Sequence, residues 1–517
     1  MTIALERRLA NFRAGTAGLT SRPDPDASRR VAIGAERLAA EVDGELIRTP
    51  AGSFVRVERQ SSVIPIDRDR LATLPGQPAA ETPLICLDTE TTGLATAAGT
   101  LAFLVGLGWW EGARFRQVQL LLPDHVDEPA LLDELRRHIP GDGWLVTYNG
   151  KGFDWPLLVA RYRMARNGPP VHAGHLDLLP IVRRLFRHRM PDAKLQTAET
   201  HLLGMRRHDD VPGWEIPARY LQFLRDREPA RLIEIVRHND EDVRSLARIL
   251  SLIESGFGDA EVRRVAQPGD LAGLARSFAA TGRFEEALGC VDAAILGSTS
   301  VAMPRADRAT GADHAPADYP APSGDQPIRL VREEADDWWS PRRRPDFGGR
   351  TGRTGAASVW RSVATDRVET HWTHLRLVAD RARLLRRVGR HHDAESAWIE
   401  VADAGGALGA LAWIEVAKLR EHRGGDLEAA LAATLAALRL IERARLTGRS
   451  TGRLDRDLAR RATRLRYRIS RRADQRARRS TSDRQAVPAV IGHGDAETRV
   501  AEVAAGAAAT SPGPAVA

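Results

Sequence analysis

The segment Leu84-Ile85-Cys86-Leu87-Asp88-Thr89-Glu90-Thr91-Thr92-Gly93 decides the fold of the central part of the chain. Its apolar run predicts a buried strand, and the side chains of a strand alternate between its two faces. Asp88 and Glu90 therefore point to the same side. Two carboxylates that share one side of a buried strand repel each other and lose their hydration, which costs several kcal/mol per ion.

A divalent cation removes this conflict, because hard cations such as Mg²⁺ prefer carboxylate oxygens. Two metal ions about 4 Å apart are a common device for cleaving phosphodiesters. An Asp-x-Glu pair alone also occurs at ordinary strand ends, so a metal site needs further ligands elsewhere in the chain.

Length, cysteine content and hydropathy narrow the class of protein. With 517 residues we expect two or three domains. The two cysteines, Cys86 and Cys290, exclude a disulfide framework and a cysteine-rich zinc site. Residues 1–15 lack the apolar stretch of a signal peptide, and the longest apolar run, residues 101–110, is about half a membrane span. We expect a soluble, cytoplasmic protein with no membrane association.

The positive charge is concentrated near one end. The formal net charge is +8, yet residues 452–480 contain 12 arginines and three aspartates, which leaves −1 on the remainder. Net charge therefore gives no argument that the central domain binds a polyanion. The Arg-rich stretch Arg453 to Arg479 is either a phosphate-binding helix or a solvated basic helix.

Hydrophobic periodicity divides the chain into regions. Alanine-rich helix pairs follow the central domain, with a spacing around Gly282 that recurs around Gly389 and fits tetratricopeptide repeats or a plain helical bundle. The insertion between the two helix pairs, residues 297–366, contains three tryptophans that are either docking anchors or exposed without a function: Trp338, Trp339 and Trp360. The predicted regions are a mostly disordered residues 1–80 with a hairpin at 45–59, an α/β domain at 81–255, helical repeats at 268–296 and 370–445, a disordered insertion at 297–366, an Arg-rich helix at 452–480 and a disordered tail at 481–517.

Two further motifs supply partners for the strand carboxylates. Asp154 follows the predicted strand 144–148 and a glycine-containing turn, as a metal ligand or as the N-cap of the next helix. His238 and Asp242 lie four residues apart in a predicted helix over 229–253, so they share one face, as functional groups or as a solvated edge.

In this order, the acids and the histidine resemble the DnaQ-like (DEDD) exonucleases of the ribonuclease H-like fold, and most closely the YprB-type exonuclease domain of bacteria. The resemblance covers about residues 84–253. Its motifs are Asp88-Thr89-Glu90-Thr91-Thr92-Gly93, Tyr148-Asn149-Gly150-Lys151-Gly152-Phe153-Asp154, His175-Leu176-Asp177-Leu178, Asp209-Asp210-Val211-Pro212-Gly213-Trp214-Glu215-Ile216-Pro217 and His238-Asn239-Asp240-Glu241-Asp242-Val243.

The resemblance implies a five-stranded mixed sheet flanked by helices, followed here by an all-α repeat domain. Asp88, Glu90, Asp154 and Asp242 would bind two Mg²⁺ or Mn²⁺ ions. His238 would be the general base. The His class of this superfamily places His and Asp five apart rather than four, so the role of His238 is less firmly implied than that of the acids, and Asp240 is an alternative ligand.

The implied activity is 3′–5′ exonuclease cleavage of DNA in repair, with a helicase as a partner of the repeats. RNA processing and a non-catalytic nucleic-acid-binding scaffold are the alternatives. Candidate substrate contacts are Thr91, Tyr148, Asn149 and Asp177, although for Asp177 we favour the N-cap of helix 178–186. Lys194, Arg206 and Arg207 are candidate phosphate contacts or ordinary surface cations.

Overall fold

A computed structural model describes residues 25–93, 99–207, 210–301, 365–446 and 454–485. Its N-terminal half contains seven strands: β1 (Glu45–Thr49), β2 (Gly52–Val63), β3 (Leu84–Thr91), β4 (Ala102–Glu111), β5 (Arg114–Leu121), β6 (Trp144–Thr147) and β7 (Gly174–Asp177). They form one sheet in the order β1-β2-β5-β4-β3-β6-β7. The predicted strand over the Asp-x-Glu motif lies at its centre, antiparallel to β4 and parallel to β6.

The mixed sheet is confirmed, but it has two more strands than the five that the resemblance implies. The additional strands are the hairpin β1–β2, whose second strand pairs antiparallel with β5. This pairing buries Phe54, Val55 and Val57 against the domain. The hairpin is therefore an extension of the sheet.

The hairpin predicted at 45–59 is present, but the assignment of the other residues between 25 and 80 to disorder is wrong. Helix α1 (Pro25–Glu41) buries Leu38 and Ala39 in the same apolar cluster as the hairpin, and a short helix α2 (Arg68–Ala72) buries Leu71. The apolar face of the amphipathic helix α1 packs against the added strands. Residues 1–24 lie outside the described residues.

Helices cover both faces of the sheet: α3 (Glu128–His138), α4 (Asp154–Met164), α5 (Leu178–Phe186), α6 (Leu195–Ala198), α7 (Ile216–Asp226), α8 (Ala230–Phe257) and α9 (Ala260–Arg263). The long helix α8 lies directly on β4, where Gly106 and Gly108 replace larger side chains. An added Cβ would lie 2.3 Å from Asn239 Oδ1 at the first glycine and 2.9 Å from Val243 Cγ1 at the second. These glycines allow α8 to approach the central strands.

The C-terminal region is helical, as predicted, with α10 (Pro268–Ala280), α11 (Phe284–Val301), α12 (Thr365–Arg387), α13 (His391–Asp403), α14 (Gly406–Leu419), α15 (Leu427–Leu446) and α16 (Leu454–Gln485). Whether these helices are tetratricopeptide repeats stays a prediction. Residues 297–301 and 365–366, assigned to the disordered insertion, are helical. The rest of that insertion with its three tryptophans, and the tail from residue 486, lie outside the described residues.

The helical region continues the core of the α/β domain. Helix α10 packs so closely on α5 that a Cβ at Gly273 would lie 2.2 Å from the carbonyl oxygen of Arg184. Arg189 donates to the buried Asp270 at 3.0 Å across the same junction. Both cysteines are buried and unpaired. No helix in the described ranges is long and apolar enough for a bilayer span.

Candidate metal and catalytic site

The end of β3 carries the first two acids of the site. Asp88 and Glu90 share the face on which α8 lies, and the intervening Thr89 points to the opposite face. There the Thr89 hydroxyl donates a hydrogen bond to Asp154, the first residue of α4. The third acid is close enough for its charge to raise the pKa of both Asp88 and Glu90. The N-cap interpretation of Asp154 is wrong, because Phe153 holds the cap position and Asp154 is the first residue of the helix.

Helix α8 supplies the remaining groups. His238 Nε2 lies 3.7 Å from Glu90 Oε1 and 3.5 Å from Asp242 Oδ2. One potential ligand atom from each of these three residues lies within 4.8 Å of the other two. The two helix residues with i, i+4 spacing, His238 and Asp242, therefore form one cluster with Glu90 of the strand.

The electrostatics of the cluster include all four acids. Burial and the charges of Asp242, Glu90 and Asp154 raise the pKa of Asp88 well above its usual range. Burial and the charges of Asp242 and Asp154 do the same to the pKa of Glu90. Burial raises the pKa of Asp154 to about 6, against the hydrogen bond from Thr89. The charge repulsion and loss of hydration predicted for Asp88 and Glu90 are therefore present, and the repulsion also involves the acids that are distant in sequence, Asp154 and Asp242.

Asn239 is a site residue that the sequence reasoning missed. It is fully buried, and its Nδ2 donates to the Asp88 carboxylate at 2.9 Å. Asn239 Oδ1 accepts a hydrogen bond from Gln119 Nε2 at 2.9 Å. Gln119 Nε2 also donates to the Val236 carbonyl at 2.8 Å. This series of hydrogen bonds fixes the orientation of the Asp88 carboxylate. The signal in the sequence was Gly106, which faces Asn239 in an otherwise apolar strand.

Arg207 is the internal cation of the site. Its guanidinium donates to Asp242 and to the buried Glu199, where Nε lies 2.8 Å from Oε2, and its Nη1 lies 3.3 Å from Asp210 Oδ2. The phosphate-contact interpretation is wrong for this residue, because its side chain lies among carboxylates with only 12% exposed. Lys194 and Arg206 are exposed.

Asp210, on the loop after Arg207, orients the histidine. Its Oδ1 lies 2.7 Å from His238 Nδ1. An ionised carboxylate only accepts, so Nδ1 carries the hydrogen and Nε2 faces Glu90 and Asp242. Burial acts to raise the pKa of Asp210, but the hydrogen bond and charge of His238 and the charge of Arg207 outweigh it and lower that pKa. Asp209, the first residue of the motif that contains Asp210, lies outside the described residues, as does residue 208 before it.

The other predicted residues make local contacts. The Thr91 hydroxyl donates to the Gly93 carbonyl at 2.7 Å, and the Tyr148 hydroxyl donates to the Ala193 carbonyl at 2.7 Å. Asn149 adopts a left-handed backbone with φ of 70°. The predicted substrate contacts of Thr91, Tyr148 and Asn149 stay predictions.

Asp177 and Asp240 have structural partners. Asp177 caps α5 by accepting from the Leu179 amide at 3.1 Å, which confirms the N-cap interpretation. The same carboxylate accepts from the Asn149 amide at 2.7 Å, so it also holds the turn before Asp154. Asp240 pairs with Arg244 at 3.1 Å and with Arg59 at 3.9 Å. It faces away from the cluster, which removes it as an alternative ligand.

Comparisons with known proteins agree with this geometry. Residues 85–253 match the family model of the RNase_H superfamily. Over 165 residues the chain is 41% identical to the protein named "Uncharacterized protein YprB" of Bacillus subtilis (strain 168). That alignment covers 32% of this chain and 40% of the relative's length. The similarity therefore supports a nuclease-type domain in this segment, which holds every site residue described above.

Proposed function

We propose that the α/β domain is a metal-dependent nuclease that hydrolyses phosphodiester bonds of nucleic acids. The observation that carries this proposal is the cluster of four acids at the end of β3, with His238 beside them. Without a metal ion such a cluster destabilises the fold, because burial and the charges of neighbouring acids raise the pKa of Asp88 and of Glu90. A cluster that is costly to the fold and lies in a segment that matches the RNase_H superfamily is best explained by a catalytic role.

The donor set fits Mg²⁺ or Mn²⁺. Asp88, Glu90, Asp154 and Asp242 would hold two ions, since hard cations of this kind prefer carboxylate oxygens. When bound, the ions would activate the attacking water and stabilise the leaving oxygen.

The residues around the acids have separate roles in this proposal. His238 accepts a proton at Nε2 from the attacking water, while Asp210 holds the ring at Nδ1. Asn239 fixes Asp88 in the orientation needed for ligation. Arg207 holds the Asp242 carboxylate in place through its guanidinium group.

For the substrate and the direction of cleavage we propose DNA and 3′–5′ exonuclease action in repair, on the strength of the motif order. RNA is the alternative substrate. The helical region 268–446 is proposed as a docking platform for a protein partner, for which the resemblance suggests a helicase.

A nuclease assay tests the proposal directly. Oligonucleotides of DNA and RNA, single- and double-stranded and labelled at either end, are incubated with Mg²⁺, Mn²⁺ or EDTA. We expect cation-dependent release of mononucleotides from the 3′ end. Asp88→Ala and Asp242→Asn should abolish the release, whereas Asp142→Asn, at an exposed position, should not.

Activity that survives either site substitution, or EDTA, refutes the two-metal proposal. Nucleic-acid binding without any cleavage under all these conditions supports the non-catalytic scaffold instead. Cleavage that begins at the 5′ end retains the nuclease and refutes the proposed direction.

A further inference from the structure

Helix α16 is divided into an anchored half and a projecting half. In the first half Leu458, Ala462 and Leu465 are buried, and Ile469 ends this apolar stripe. They pack against α14 and α15 through residues such as Ala437. After the stripe ends, residues 470–479 are all exposed, and this stretch contains five arginines and one aspartate. Within the described residues, tertiary packing buries none of residues 470–479.

One row of arginines anchors the first half. Arg461, Arg464 and Arg468 place guanidinium nitrogens 2.7, 3.1 and 2.6 Å from the carboxylate of Glu421, which is 5% exposed. One turn further on, Arg472 donates to the Gly425 carbonyl at 2.9 Å. Three cations on a single carboxylate leave a positive excess even in the anchored part.

A second row faces away from the anchor. At about 100° per residue, Arg456, Arg460, Tyr467 and Arg471 fall on the side of α16 opposite the apolar stripe. We call these four residues the outer row. All are exposed, and Tyr467 is 64% exposed. Among the residues that the structure describes, none of the three arginine side chains pairs with a carboxylate. The outer row is about 22 Å long.

We propose that the outer row binds the phosphates of a single-stranded nucleic acid. The proposal rests on the proposed nuclease function for the class of ligand and adds a binding surface outside the catalytic domain. Arginine guanidinium groups form strong charge-assisted hydrogen bonds with phosphates. An exposed tyrosine among them offers a ring on which an unpaired base stacks.

The composition of the outer row argues against a membrane surface. An interfacial helix buries leucine, phenylalanine or tryptophan in the lipid and keeps its cations on the opposite face. On α16 the apolar residues face the protein core, and the side opposite them carries Arg456, Arg460 and Arg471 without a large aliphatic residue. The exposed face of α16 therefore has no large aliphatic side chain that could insert into lipid.

The test compares the full-length protein with an outer-row variant, Arg456→Gln/Arg460→Gln/Arg471→Gln. Glutamine has a helix propensity close to that of arginine, and the three side chains are exposed, so the helix should persist. The matched control, Arg225→Gln/Arg376→Gln/Arg387→Gln, removes the same charge from exposed positions elsewhere. Circular dichroism verifies that helicity is unchanged in both variants.

Binding of labelled 30-nucleotide oligo(dT) and oligo(rU) is measured in EDTA by fluorescence anisotropy between 50 and 200 mM NaCl. The plot of log K against log [salt] falls with a negative slope, and loss of three phosphate contacts should reduce the magnitude of that slope by about 2. Over this range the unmodified protein should therefore lose about 20-fold more affinity than the outer-row variant. The control variant should keep the original slope.

An outer-row variant with the slope and affinity of the control overturns the proposal. Vesicles of phosphatidylserine form a second arm, and a loss of vesicle binding with unchanged oligonucleotide binding would assign the row to membranes instead. The two proposals fail separately. If the unmodified protein cleaves nucleic acid but the outer-row variant binds as well as the control, only the binding-surface proposal is refuted. If the unmodified protein shows no cleavage but the outer-row variant binds more weakly than the control, only the nuclease proposal is refuted.

Discussion

Replacing Asp154 by asparagine should make the metal-free protein more stable while abolishing its nuclease activity. Asparagine has nearly the same shape, and its Oδ1 still accepts the hydrogen bond from the Thr89 hydroxyl. The substitution therefore removes one buried negative charge from the acid cluster, and it weakens the backbone hydrogen bonds that the carboxylate accepts from Asp154 and Thr89. Most substitutions of buried polar residues destabilise a protein, so a gain in stability would point directly to the removed charge.

The magnitude follows from the pKa of Asp154, about 6 in the fold against 3.8 for an unperturbed aspartate. Protonation stabilises the folded state, and this stabilisation is complete below pH 3.8 and is lost as the pH rises through about 6. At pH 7.5 the ionised side chain lowers the free energy of unfolding by up to about 3 kcal/mol. At pH 5 the cost is about half as large.

The assay is urea unfolding of both proteins in EDTA at pH 7.5 and pH 5, followed by circular dichroism. We expect the Asp154→Asn variant to be more stable by up to about 3 kcal/mol at pH 7.5 and by about half as much at pH 5. Asp142→Asn, at an exposed position, should show no such gain. Adding Mg²⁺ at 100 times its Kd should stabilise the unmodified protein by about 2.7 kcal/mol and the variant by less. A variant that is less stable than the unmodified protein in EDTA, or a gain independent of pH, would refute the reasoning.

Three further substitutions test the packing and the orientation of the site. Gly106→Ala should lower the free energy of unfolding by about 2 kcal/mol in urea, because its Cβ would lie 2.3 Å from Asn239 Oδ1. Asp210→Asn should lower kcat by about 10- to 100-fold with little change in KM, because the His238 ring loses its charged partner at Nδ1. Glu421→Gln should release α16 to faster tryptic cleavage, because three arginines lose their shared carboxylate.

Matched controls accompany these variants. Gly141→Ala, where an added Cβ meets nothing within 4 Å, should leave the free energy of unfolding unchanged. Asp210→Glu restores the carboxylate and should recover part of the lost kcat. Glu428→Gln, at an exposed position of α15, should not change the cleavage of α16. Equal effects of any substitution and its control would contradict the contact on which that prediction depends.

The sequence determined the central strand and the identity of the four acids. Period-2 alternation places Asp88 and Glu90 on one side, and the i, i+4 spacing places His238 and Asp242 on one helix face, whatever the surrounding fold. Alternating hydrophobicity also predicted the hairpin at 45–59. It did not show that this hairpin joins the sheet, because an edge pairing depends on a partner strand that is distant in sequence.

Only the tertiary structure decided which neighbours complete the site. In the sequence, Arg207 is a candidate phosphate contact or an ordinary surface cation and Asp210 is part of a family motif without an assigned role, since nothing local shows that their loop lies against α8. Asn239 gives no local signal of its role, because it lies on helix α8 while its partners Asp88 and Gln119 lie on the strands β3 and β5. The convergence itself depends on Gly106 and on the register that sets it opposite Asp88, which brings α8 close enough for its carboxylate to meet those of β3. Local pattern thus determined the chemistry of each side chain, and long-range packing determined which side chains meet.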